Sequence, residues 1–119
     1  MNKFNDREKS FEKKFQLDQE LQFKVQARSN KYLAEFISLK LGKTKEEEKN
    51  YIIEVIKSDM EEAGQEDVFR KIKKDLELSS VKLEDSEIRN EMEKALSRAK
   101  EDFKKEFNLF NFFIFYSVL

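Results

Sequence analysis

The sequence predicts an all-α protein, an antiparallel four-helix bundle with a mobile or partly helical N-terminal arm. Three observations predict it. Proline is absent and glycine occurs twice, at Gly42 and Gly64, so a chain of 119 residues has almost nothing to interrupt a helix. Glu, Lys and Leu are abundant, and all three are good helix formers. Apolar residues recur at steps of three and four along separate stretches, the spacing of one helical face. The length suits one domain and is enough to bury a core.

The chain begins with "FNDREKSFEKKF", which has seven charged side chains in twelve residues and only Phe4, Phe11 and Phe15 as large apolar groups. On a helical wheel these rings fall within about 20° of Phe4's direction. One narrow row on a charged helix cannot hold that helix alone in water. A charged terminus is ordinarily frayed. Yet three aligned rings have no use in a solvated tail, and their spacing is that of anchors for a groove on another protein. From Leu21 the apolar set is Leu21, Val25, Tyr32, Leu33, Phe36 and Ile37, a face turned by several tens of degrees from the phenylalanine row. The polar stretch at residues 16–20 reads as a seam. It divides an arm, residues 1–19, from a bundle, residues 20–107.

Gly42 and Gly64 each sit where a helix would stop on a left-handed residue. Thr44 and Glu47 have capping-box spacing and start the second helix, whose face is Tyr51, Ile52, Val55, Ile56, Met60 and Ala63. The third helix, from about Glu66, places Val68, Phe69, Ile72 and Leu76 on one side. "LSSVKLED" breaks the pattern, and Asp85 is positioned to cap the fourth helix. That helix has the longest row: Ile88, Met92, Ala95, Leu96, Ala99, Phe103 and Phe107. Residues 108–119, "NLFNFFIFYSVL", carry no charge and hold five of the fifteen aromatics. This tail is too short to span a bilayer as a helix. It reads as a segment docked on the bundle, a membrane or partner contact, or an extension without function.

Charge and composition exclude several functions. With 24 basic and 25 acidic residues, the chain lacks the basic surplus that nucleic acid would attract. Without Cys or His it has no disulfides, no ordinary zinc site and no histidine-based triad. "GKT" at Gly42–Thr44 ends like a phosphate loop, but the glycine required five residues earlier is Ile37, and the preceding segment reads as helical. "KEEEK" (Lys45–Lys49) reads as a dipole-complementing first turn and "RKIKK" (Arg70–Lys74) as a solvated face. No set of acids, bases or nucleophiles suggests an enzyme, and no cofactor or metal is expected. The N-terminus lacks the apolar run of a signal peptide, which points to the cytoplasm.

The arm and one later block also carry a resemblance. F-x-x-R-E-x-x-F-E-x-K-F, met by Phe4, Arg7, Glu8, Phe11, Glu12, Lys14 and Phe15, and E-E-A-G-x-E-D-V-F-R-K, met from Glu61 to Lys71, resemble the bacterial ATP synthase zeta-subunit family. The likeness runs from about Phe4 to about Ala99. Family members usually have a tryptophan near the end of the first bundle helix, a region filled here by Phe36, and commonly a histidine at the place of Leu17; the tail has no recognised counterpart. The resemblance implies a four-helix bundle with an inhibitory arm that enters an α/β catalytic interface of the ATP synthase head and stops ATP hydrolysis. By position, that arm is Phe4, Asp6, Arg7, Glu8, Phe11, Glu12, Lys14, Phe15 and Asp18. The implied partners are the α and β subunits, with the central stalk as a further candidate, at the cytoplasmic face of the inner membrane. The alternatives are a non-inhibitory accessory protein on the same complex and a peripheral membrane protein that uses its tail.

Overall fold

The computed structural model describes the backbone of residues 2–61 and 64–118 and the side chains of residues 19–60 and 64–106. Among the described residues it has four helices and no strand: α1 (Asn2–Lys40), α2 (Lys45–Glu61), α3 (Gln65–Leu78) and α4 (Asp85–Val118). Each helix runs antiparallel to the next. Tyr51 meets Asp75 and Lys71 meets Glu54 between α2 and α3. Lys73 meets Asp85 and Arg89 meets Glu66 between α3 and α4. Arg28 meets Glu106 and Tyr32 meets Asp102 across α1 and α4, which closes the ring. α1 makes its most extensive contacts with α4 and α2. This is the up-down arrangement expected when amphipathic helices are joined by short connections.

The core contains Leu33, Ala34 and Ile37 of α1, Tyr51 and Val55 of α2, Val68, Phe69, Ile72 and Leu76 of α3, and Ile88, Met92 and Ala95 of α4. Tyr32, Phe36, Leu41, Ile52, Val81 and Leu83 are half-buried against it. The α3 face is the one read from the sequence, residue for residue. The other faces are narrower than their apolar rows. Leu21 and Met60 are exposed, and Leu96 is only half-buried because it flanks the inward line of Ile88, Met92, Ala95 and Ala99. The expected core positions Ala63 and Phe107 lie outside the described side chains.

Local chemistry explains where the helices stop. Gly42 has φ 68°. Its amide donates to the Leu39 carbonyl at 3.2 Å and that of Lys43 to the Ser38 carbonyl at 3.0 Å, a Schellman closure of α1. The capping box follows as read: the Glu47 amide donates to Thr44 Oγ1 and the Thr44 amide to Glu47 Oε1, both at 3.3 Å. "GKT" is therefore a helix stop joined to a helix start. The end of α3 repeats the Schellman pattern with Ser80 at φ 57°, as the Ser80 amide donates to the Glu77 carbonyl and that of Val81 to the Leu76 carbonyl.

Two boundary readings shift. Gly64, at φ 156° and ψ 144°, is not a left-handed stop for α2. It takes an extended, glycine-favouring conformation directly before α3. The cap of α4 is Glu84, whose carbonyl accepts from the Glu87 and Ile88 amides; Asp85 is the first helical residue and reaches Lys73 of α3 instead. α1 passes through residues 16–20 unbroken, so the predicted arm and the first bundle helix share one helix of 39 residues, about 58 Å long.

Candidate functional site

Phe4, Asp6, Arg7, Glu8, Phe11, Glu12, Lys14, Phe15 and Asp18 all stand on the first half of α1. Their side chains lie outside the described residues. The tail is likewise carried on a continuous helix, α4, as far as Val118.

The base of the arm is described in atomic detail. Among the described side chains of α1, Gln19 to Lys24 are exposed, and the first buried positions are Ser29 and Asn30. Asn30 Nδ2 donates to Asp59 Oδ2 at 2.8 Å and ties α1 to α2. Beside that bond lies a groove of about 530 Å³ between α1 and the α2–α3 connection, lined among others by Gln22, Phe23, Gln26, Ile56, Met60 and Gln65. Phe23 is 59% and Met60 64% exposed. Asp59 is the groove's one charged residue among those described. The groove therefore offers apolar contact and amide hydrogen bonding.

The opposite flank of α1 is held electrostatically. Arg28 Nη1 donates to Glu106 Oε1 at 2.8 Å and lies 3.9 Å from Asp102 Oδ2, while its guanidinium sits 4.3 Å above the Phe103 ring. The Tyr32 hydroxyl donates to Asp102, and Arg98 stacks 3.8 Å over the Tyr32 ring. The bond to Asp102 raises the Tyr32 hydroxyl pKa, and the Glu106 carboxylate does the same for Arg28. The sequence reading did not single out this clamp. Its signal was spacing: Asp102 and Glu106 continue the steps of Ala95 and Ala99 on α4, while Arg28 falls four residues before Tyr32 on α1.

The other charge runs take bland roles. Glu46, Glu47 and Glu48 occupy the first turn of α2. Arg70 pairs with Asp67, Lys71 with Asp75 and Glu54, and Lys73 with Asp85, so carboxylates already occupy much of "RKIKK". Among the described residues no His, Cys, Asp and Glu group is arranged to hold a metal ion, and no helix is long and apolar enough to cross a membrane.

A solved structure determined by solution NMR is 38% identical to the chain and superposes with a TM-score of 0.63, covering 72% of this chain and 98% of its own. No curated protein matches. The family model described as ATPase inhibitor subunit zeta matches residues 1–102, which takes in the whole arm and three and a half helices of the bundle. By that match, over most of its length, the chain belongs to the ATPase inhibitor subunit zeta family.

Proposed function

We propose that the chain restrains ATP hydrolysis by the ATP synthase, with the N-terminal half of α1 lodged at an α/β catalytic interface of the head. The single observation that carries this reading is the extent of the family match, which begins at residue 1 and so includes Phe4, Phe11 and Phe15. The continuity of α1 supports it, because a helix that begins at Asn2 presents the three positions along one line. Each phenylalanine buried in a partner groove would contribute roughly 1.5–3 kcal/mol before ordering costs. Arg7, Glu8, Glu12 and Lys14 would set register and orientation. An arm wedged there would block the closing movement that turnover requires, so inhibition is mechanical and needs no catalytic residue in this chain. The protein would then work at the cytoplasmic face of the inner membrane.

The test is ATP hydrolysis by the purified head with the full chain titrated in. Saturable loss of activity is the expected result. Measurable binding without loss of activity would favour the non-inhibitory accessory reading.

A further inference from the structure

The segment 108–119 has no charge in a chain that is 41% charged, and it falls outside the stretch matched by the family model. The described contacts of α1 with α4 indicate what it faces. Tyr32 meets Asp102, and four residues earlier on α1, Arg28 meets Glu106, four residues later on α4. The two helices rise equally per residue, so an antiparallel pair keeps this register as it continues. The next inward steps, of three and four residues, set position 25 against 109, 21 against 113 and 18 against 116. Those residues are Val25 with Leu109, Leu21 with Phe113, and Asp18 with Tyr116. Two apolar pairs are followed by a carboxylate and a phenol, the pairing already seen between Asp102 and Tyr32 with the helices exchanged. Lys and Glu, so frequent elsewhere in the chain, are absent from all six positions. On α1 the row reaches the limit of the core, with Val25 half-buried and Leu21 43% exposed.

We propose that the tail is an intramolecular strut: residues 108–118 of α4 pack along residues 18–25 of α1 and extend the bundle up to the base of the arm. On α1, Leu21 and Val25 lie about 60–100° around the helix from the direction of Phe4, and Asp18 about 40°, so the tail supports the arm from beside its phenylalanine row. Asp18, assigned above to the arm, then belongs to the bundle. The inference does not depend on inhibition.

Amide hydrogen exchange on the full chain and on a chain ending at residue 107 tests it. Residues 18–27 should exchange at least about tenfold faster without the tail, while residues 30–40 keep their protection. Equal exchange at 18–27 in the two chains would overturn the proposal. Should the shortened chain lose its fold, paired cysteines decide, since the natural chain has none to interfere. Leu21→Cys with Phe113→Cys should oxidise to a cross-linked monomer, whereas Leu21→Cys with Phe112→Cys, about 100° off the row, should not. Absence of the first cross-link would overturn the proposal. So would a cross-linked dimer, which would assign the tail to a second copy.

Discussion

Ser80 holds a left-handed backbone, φ 57°, at the end of α3, where Gly42 serves the same purpose for α1. A Cβ is unfavourable in that conformation, so Ser80→Gly should stabilise the protein by about 0.5–1 kcal/mol, measured as a shift in the urea midpoint. Ile88 and Leu96 belong to one apolar row by spacing but not by burial. Ile88, 1% exposed, should cost more than about 4 kcal/mol as Ile88→Asp, because an unpaired charge would enter the core. Half-buried Leu96 can turn an aspartate toward water, and Leu96→Asp should cost about 1–2 kcal/mol. The titrating groups set the pH response. Hydrogen bonds from Thr44 hold the Glu47 carboxylate below its ordinary range, and Arg89 does the same for Glu66. These contributions are present above the unfolded glutamate pKa and are lost as pH falls through the lower folded values. Burial, aided by Asp75, raises the Tyr51 hydroxyl, so its contribution is lost only as pH rises beyond about 10. With no histidine, stability should be flat from about pH 6 to 9 and should fall below about pH 4 in acid titrations followed by circular dichroism.

At the scale of the element, α3 was fully legible because it is short and strongly amphipathic, with Val68, Phe69, Ile72 and Leu76 all buried. The start of α2 was legible because a capping box is a local signal. Thr44→Ala should remove one of its two bonds and cost about 1 kcal/mol in thermal unfolding. α1 was harder to read. The turn in its apolar face at residues 16–20 suggested a seam, but a helix needs propensity and hydrogen bonds more than an unbroken apolar stripe, and Gln16 to Gln22 supply both. The α1–α4 clamp was not legible, since Arg28 and Glu106 are 78 residues apart and each alone resembles an ordinary surface charge. The arm residues were legible only as a pattern, because on the proposed reading the surface that three aligned phenylalanines meet belongs to another molecule.

At the scale of the whole molecule, the proposed function separates fold from activity. Removing residues 1–18 leaves every core side chain among the described residues in place, so the shortened chain should keep a helical spectrum and a cooperative transition while losing inhibition of ATP hydrolysis. Phe11→Ala with Phe15→Ala should weaken inhibition by at least about tenfold, which corresponds to about 1.4 kcal/mol, with no change in the spectrum. Full inhibition by the shortened chain would move the active surface to the bundle, where the groove beside Phe23 and Met60 would be the next place to examine.

The unbroken run of α1 also bears on kinetics. A tether that flexes at its root lets its tip sample many directions while the body tumbles, which speeds capture. A helix that stays continuous with the bundle on binding would have one heading, set by the orientation of the whole protein, so encounters would succeed only when the entire body arrives correctly aimed. Once seated as proposed, such a helix would deny the tip any independent wobble by which to work loose. Slow arrival and slow departure follow together, and two glycines inserted after Gln19 should accelerate both in a surface-binding measurement against the immobilised head.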